Sequence, residues 1–365
     1  MFLRSTDVLR KKRKLDHLKL VQKLGDGPAQ TGFEDIYFIH NCLPEMDPSE
    51  IDTTAQFCHH TSAAPLMINA VTGGIREAEK INRAFAGVAR KLDIPMAVGS
   101  QAAALEDPEA RCSYEVVREE NPDGFIIANI GCSALPEHAR EAVKMIEADA
   151  LQVHLNAPQE AMMPQGEGDL SFRGCLQKIT GMVKTVTVPV IVKEVGFGMA
   201  KEQAVMLLST GIKALDVGGK GGTNFIKIEG YRYNREVAQP FLNWGLSTAV
   251  SLIEVVESTG SQLEIVATGG IRSGLDIAKA LSLGASLAGV AGPLVRCYYH
   301  GGETAVEQYL RQLLQELKQV MLMLGTPNLH ALRQRPLVIL GETGKWLERR
   351  GFDLCKYALR GGLIM

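Results

Sequence analysis

PVIVKEVGFGMAKEQAVMLLSTGIKALDVGGK, residues 189–220, is one complete strand–helix–strand repeat, and its reading sets how the rest of the chain is parsed. Pro189 to Val192 is a short, continuous apolar run, the composition of a parallel strand buried on both faces. Lys201 to Ser209 has the apolar spacing of a helix, and KALDVGG (213–219) returns to the strand pattern. Six more runs of the same kind lie on either side: PLMINAVT (65–72), IPMAVGSQ (94–101), GFIIANIG (124–131), ALQVHLNA (150–157), LEIVATGG (263–270) and ASLAGVAG (285–292). Helical spacing recurs between them at Arg76–Leu92, Pro108–Glu120 and Pro136–Glu147. From Pro65 to Ala285 each unit takes about 31 residues, the length of a strand plus its return helix. Eight such units favour an α/β fold closed as a (β/α)8 TIM barrel over an open doubly wound sheet. A dinucleotide fold would carry G-x-G-x-x-G straight after its first strand, and AVTGGIRE (70–77) does not supply it. The expected organisation is an N-terminal arm and cap over the barrel mouth (1–64), a catalytic barrel (65–325) and a C-terminal extension (326–365).

The 365 residues carry 39 basic and 41 acidic side chains, a net charge of -2 that excludes bulk attraction to a nucleic acid or an anionic membrane. Any anion must therefore be met locally. Apolar residues at 46% and charged ones at 22% are the balance of a globule with a large core. The 37 glycines exceed the usual share and mark places where backbone approaches a ligand. Seven scattered cysteines with no C-x-x-C pair argue against a disulfide framework or zinc knuckle. MFLRSTDVLRKKRK (1–14) lacks the apolar core of a leader, and no apolar run is long enough to span a bilayer. The expected setting is cytoplasmic.

Ligand groups in such barrels sit at the carboxyl ends of the strands. Those ends are Thr72, Ser100, Asn129, His154 with Asn156, Lys193, Gly218 with Gly219, Gly269 with Gly270, and Ala291 with Gly292. TGGIRSG (268–274) and AGPL (291–294) lead into helices, and paired glycine-rich loops at helix N-termini bind phosphate through backbone N–H groups. Lys193 closes its strand as a cation facing a dry barrel mouth, where it would stabilise an anionic ligand far more than at a surface. In QVHLNAPQE (152–160) the alternation puts Gln152, His154 and Asn156 on one face of their strand, towards the barrel interior. Gln159 and Glu160 follow. A lone Glu160 can hold only one corner of a Mg2+ whose other ligands are water and substrate phosphate. The basic run Arg10 to Lys14 ends near His17 and reads either as a solvated helix face or as an arm clamping an anionic substrate.

Taken together, these motifs resemble the type 2 isopentenyl-diphosphate isomerases, FMN-dependent barrels of isoprenoid biosynthesis. The resemblance runs from RKLDH (13–17) to AGPL, with QVHLNAPQE its most specific stretch, supported in order by VTGG, GSQ, ANIG, VIVKEVGFGM, DVGGKGGTNF, FLNWGLSTA and TGGIRSGLDIAKALSLGA. It implies that Arg13, Lys14 and His17 contact a diphosphate, together with Ser100. It places FMN on Ala70, Val71, Thr72, Gly73, Ser100, Asn129, Lys193, Thr223, the Gly270–Ile271–Arg272 loop, Ala291 and Gly292. It makes Gln159 a substrate contact beside the reacting alkene, with His154 and Asn156 in the catalytic group, and Glu160 the Mg2+ ligand. The implied reaction is a 1,3 proton shift between isopentenyl and dimethylallyl diphosphate. Reduced FMN would act as acid and base, NADPH would reduce it once, and the chain would be a homo-oligomer, a tetramer or octamer, to which the apolar helix near Tyr309 to Leu324 also points. Three positions depart from the family pattern: Ala102 replaces a usual arginine, Asp16 a glutamate and Ser247 a proline. Loss of the arginine removes one diphosphate contact.

The competing reading is an FMN-dependent 2-hydroxy-acid oxidase or dehydrogenase. Such enzymes need a His–Arg pair after the seventh strand to take the substrate proton and hold its carboxylate, and no H-x-x-R is expected anywhere after Lys193.

Overall fold

The computed structural model describes residues 3–164 and 167–361, with side chains from Lys12 onward, so the side chains of Arg10 and Lys11 lie outside the described residues. Eight parallel strands close into a barrel: β1 Leu66–Ile68, β2 Met96–Ala97, β3 Ile126–Gly131, β4 Ala150–Leu155, β5 Val190–Glu194, β6 Ala214–Asp216, β7 Glu264–Thr268 and β8 Leu287–Val290. Each pairs with its sequence neighbour, and β8 returns to β1 through Gly289↔Met67. Every strand run expected from the sequence is present, in order. β3 to β5 share an unbroken register, with Asn129↔Gln152, Gly131↔His154 and His154↔Lys193, which brings the polar strand ends side by side.

The helices follow from their sequences. Arg76–Leu92 carries Glu77 and Glu79 in its first turn and Arg90 and Lys91 in its last, both favourable to the helix dipole. Its inner face buries Ile81, Phe85, Val88 and Leu92, and the left-handed Asp93 ends it. Burial of Phe85 alone contributes about 2–3 kcal/mol. The stretch 108–120 divides into a 3-10 turn, Pro108–Ala110, and a helix, Cys112–Glu120. Pro108 needs no N–H in that first turn, and Asp107 caps it by accepting from Glu109 N at 3.0 Å.

The segment 1–64 is not one cap. The arm helix, Leu3–Leu24, lies at the mouth and packs against Phe225–Arg232 and Gly292–Leu324. The hairpin Ala55–Phe57/His60–Ser62 instead closes the opposite end of the barrel: Phe57 is fully buried against Phe125 just before β3, and Cys58 N donates to Glu264 at the start of β7. Apolar side chains left at the floor of a barrel need such a cover. The C-terminal extension joins the N-terminal segment, since Leu337–Ile339 pairs antiparallel with Ile36–Phe38. The long helix Gly292–Leu324 changes direction at Gly301 and Gly302. Its apolar stripe of Leu310, Leu313, Leu317 and Leu324 is buried within the same chain, so it gives no argument for association with other copies. Among the described residues no helix is long and apolar enough to cross a membrane.

Candidate active site

A buried polar network fills the carboxyl end of the barrel. Lys193 Nζ donates to Asp216 Oδ2 at 2.9 Å and to Thr268 Oγ1 at 3.0 Å, and the Thr268 hydroxyl donates to Asp216 Oδ1. Asn69 Nδ2 adds a 2.6 Å bond to Asp216 Oδ2. Gln152 reaches Asn69 Oδ1 at 3.3 Å, and Asn129 Nδ2 donates to Gln152 Oε1 at 2.9 Å. Asn129 Oδ1 then meets His154 Nδ1 at 2.8 Å. Because the amide of Asn129 spends its N–H on Gln152, its oxygen accepts, and His154 carries its proton on Nδ1 with Nε2 as an acceptor. Desolvation, then the charges of Lys193, Arg13 and Lys14, lower His154 to about 4, so the ring is neutral at neutral pH. The cation of Lys193 and the anion of Asp216 are both buried, a pairing stable only because its remaining donors and acceptors are satisfied.

A second group joins the arm to the loops after β4 and β6. The loop after β4 folds as a short helix, Ala157–Met162, with Pro158 in its first turn, and that after β6 as Phe225–Arg232, capped by Asn224 accepting from Lys227 N. Glu229 Oε1 accepts from His17 Nε2 at 2.8 Å and from Gln159 Nε2 at 3.1 Å, and Arg232 pairs with its other oxygen at 2.5 Å. Burial raises the Glu229 carboxyl, but these donors and the Arg232 charge outweigh it and hold the group below its ordinary value, hence ionised. Burial keeps His17 below its usual range despite Glu229. Asn156 Nδ2 bridges Gln159 Oε1 at 3.3 Å and Glu160 Oε1 at 2.8 Å, while Glu160 Oε2 accepts from Asp169 N at 2.8 Å. Glu160 keeps lone pairs for a cation, and among the described residues no three His, Cys, Asp or Glu side chains gather to form a metal cage. Lys14 Nζ bonds Ser100 O at 3.1 Å and Tyr114 Oη at 2.7 Å, and Arg13 lies against Met163 Sδ at 3.3 Å.

The third part is the glycine-rich rim. Gly269 has φ +106°, and a Cβ there would stand 1.9 Å from Gly219 O, so only glycine lets these two loops meet. Thr223, Gly270, Arg272, Ala291 and Gly292 line one hollow with Ala70, Val71 and Lys193. A second hollow shares Ala70, Val71 and Lys193 with the first and is lined by Arg13, Lys14, His17, Thr72, Gly73, Ser100, Asn129, His154, Asn156, Gln159 and Glu160. All the site residues inferred from the sequence therefore line these two adjoining hollows, which together form the cleft, except that the Ile271 side chain is buried in the core. Arg272 is not free: its Nε and Nη2 donate to Asp26 at 2.8 and 2.6 Å. Arg296 also reaches Asp26, at 3.3 Å, and its buried Nη1 has no hydrogen-bond partner, 3.8 Å from where a Gly292 Cβ would stand. An orphaned guanidinium donor beside a helix N-terminus fits the phosphate of a flavin nucleotide. Asp26, Asn69, Asp216, Glu229 and Arg296 were not anticipated. Asp216 alone left a local trace, a charge inside the apolar run KALDVG, which demands a buried partner.

One H-x-x-R spacing does occur after β7, at His330–Arg333. It lies on the helix Leu329–Arg333 beyond the barrel, where Arg333 bonds Ala285 O just ahead of β8, away from the cleft.

Residues 124–339 match the model of the FMN-dependent dehydrogenase family. Proteins named isopentenyl-diphosphate delta-isomerase are similar over nearly the whole chain. That of Moorella thermoacetica is 50% identical over 341 residues, 93% of this chain and 97% of its own. That of Symbiobacterium thermophilum is 46% identical, with 96% and 99% covered. That of Methanothermobacter thermautotrophicus is 43% identical, with 95% and 99% covered. Among solved structures, a putative lactate oxidase of Pediococcus acidilactici superposes with a TM-score of 0.68 at 16% identity, covering 93% of this chain and 94% of that one. At such identity the likeness extends to the fold alone.

Proposed function

We infer the division of labour in the cleft from the premise that the chain belongs to the isopentenyl-diphosphate delta-isomerase family, within the FMN-dependent class. It interconverts isopentenyl and dimethylallyl diphosphate by a 1,3 proton shift. The observation that carries the assignment of residues is the pair of adjoining hollows that share Ala70, Val71 and Lys193, one bordered by Arg272 and the other by Arg13 and Lys14. Bound reduced FMN supplies acid–base exchange at N5 and an electron-rich face next to developing positive charge.

The chain's own residues do the rest. Thr223, the backbone of Gly270 and Ile271, Arg272, Ala291 and Gly292 hold the flavin phosphate, aided by the unpartnered donor of Arg296. Ala70, Val71, Thr72, Gly73, Ser100 and Asn129 border the ring, and Lys193 offers its cation to the ring's anionic edge. Arg13, Lys14, His17 and Ser100 take the substrate diphosphate, Lys14 covering part of what the arginine replaced by Ala102 would provide. Gln159, with its amide fixed by Glu229 and Asn156, contacts the alkene. His154, held neutral, adds no positive charge against the carbocation, and Asn156 orients Gln159 and Glu160. The arm helix and the loop helices shield the cation from water.

Glu160 holds one corner of Mg2+, the substrate phosphate and water supplying the others. Glu160→Gln is expected to raise the Mg2+ concentration for half-maximal turnover at least about tenfold, read from turnover against added Mg2+; an unchanged curve removes this assignment. NADPH as the reductant rests on the family resemblance, and a redox-neutral net reaction requires it only once, to reduce the flavin. Seven free thiols accord with a reducing, cytoplasmic setting. Exposed Tyr231, Phe241 and Trp244 after β6 offer surface for a homo-oligomer, and the net charge of -2 speaks against nucleic acid as a partner.

The test is anaerobic turnover of isopentenyl diphosphate in D2O with FMN, Mg2+ and NADPH. Dimethylallyl diphosphate with deuterium in its new methyl group, without stoichiometric NADPH loss, is the expected product. Continuous NADPH oxidation would point to oxidase-type chemistry and defeat the reading.

A further inference from the structure

We propose that Cys132 and Cys175 form a peroxide-responsive thiol pair, which closes to a disulfide across the base of the segment carrying His154, Gln159 and Glu160. The two sulfur atoms are 3.2 Å apart although 43 residues separate them in the chain. Cys132 stands in the turn just after β3, and its N–H donates to His154 O at 3.1 Å. Cys175 is the first residue of the helix Cys175–Thr185, which follows the loop after β4. Lys178, one turn along that helix, donates to Ser133 O at 2.8 Å and so fixes the helix against the same turn. The contact is thus held from both sides.

The two thiols are not equivalent. Cys132 is buried, and desolvation followed by the bond with Cys175 pushes its thiol up to about 12. Cys175 is only partly buried, so it is the sulfur an oxidant reaches first. In the first step the Cys175 thiolate attacks one oxygen of hydrogen peroxide, the O–O bond breaks, and the products are Cys175 sulfenic acid and, after protonation, water. In the second, Cys132 sulfur attacks the sulfenic sulfur, the S–O bond breaks, and the Cys132 proton leaves with the hydroxide as a second water. Two thiols and one peroxide become one disulfide and two waters. The product links the end of β3 to the far end of the active-site loop, so it would stiffen the segment that positions Gln159 and Glu160.

Exposed Cys42, Cys112 and Cys355 serve as internal controls. The purified FMN-loaded protein is treated with hydrogen peroxide, alkylated and mapped by mass spectrometry. The expected result is a linked Cys132–Cys175 peptide pair lighter by two hydrogens, reversed by dithiothreitol, with the control cysteines still separate. The unfolding temperature should rise by several degrees on oxidation. In Cys132→Ser the pair cannot close, and Cys175 should accumulate a dimedone-reactive sulfenic acid; in Cys175→Ser neither the link nor the tag should form. Separate alkylation of both cysteines after peroxide, or a sulfenic or sulfinic acid accumulating on wild-type Cys175 without a link, would overturn the proposal. The wild-type map decides the question even where a variant folds poorly.

Discussion

Lys193→Met is expected to lower kcat/KM at least about a hundredfold and to cost about 3–5 kcal/mol of stability. Two separate physical effects are involved. The first is functional, because the ammonium lines both hollows of the cleft, in a position to meet anionic flavin density. The second is structural. Asp216 is fully buried, and with Lys193 gone its carboxylate keeps only the neutral donors of Asn69, Thr268, Gln152 and Gly218 N. An ionised group left that way bears most of its desolvation cost. The double variant Lys193→Met/Asp216→Asn separates the two effects, since it removes the stranded charge while leaving the cation absent. Urea unfolding of the double variant should recover most of the lost stability, and turnover should stay at the single-variant level. Retention of wild-type stability and near wild-type turnover by Lys193→Met would show that the pair neither anchors the floor nor touches the chemistry.

That same pair shows what a linear sequence conveys. Lys193 was legible because a charge at the end of an apolar run has one destination, the barrel mouth, once eight repeats have fixed the strand ends. The alternation of Gln152, His154 and Asn156 was legible for the related reason that strand periodicity decides which side chains point inward. Partners were not legible, because closure of the barrel brings together residues with no local relation. Asn69 meets Asp216 across 147 positions, and Asp26 meets Arg272 across 246. Arg272 was legible only as part of a cofactor loop, and nothing near it in the chain announces that Asp26, in the turn after the arm helix, holds its guanidinium. Glu229 stayed hidden within GGTNFIKIEGYR because its role depends on how a loop helix turns towards His17 and Gln159. The segment 1–64 was expected as a whole over the mouth, because nothing local in residues 55–62 tells which end of the barrel the hairpin formed there covers.

Acidification from pH 6.5 to 4 is expected to remove up to about 3 kcal/mol more stability from the wild type than from His154→Gln. His154 titrates near 4 in the folded protein because burial, followed by the charges of Lys193, Arg13 and Lys14, opposes a second proton. In the unfolded chain it titrates near 6.5. Between these values the unfolded state binds the proton that the folded state refuses, so this contribution is intact above 6.5 and lost as pH falls through 4. Glutamine retains an N–H for Asn129 Oδ1 without a titrating ring, and it leaves His17 in place, whose lowered value acts in the same direction. Glu194 works against both. Burial raises its carboxyl to about 8, so acidification favours the folded state through that group. The difference between the two proteins, measured by urea unfolding at intervals across this range, therefore isolates the histidine. A protonated His154 paired with an anion in the cleft would give the opposite slope, with the wild type gaining on the variant as pH falls. Parallel curves would mean that the ring is as well solvated in the cleft as in the unfolded chain, and the neutral floor assigned to the carbocation site would have to be abandoned.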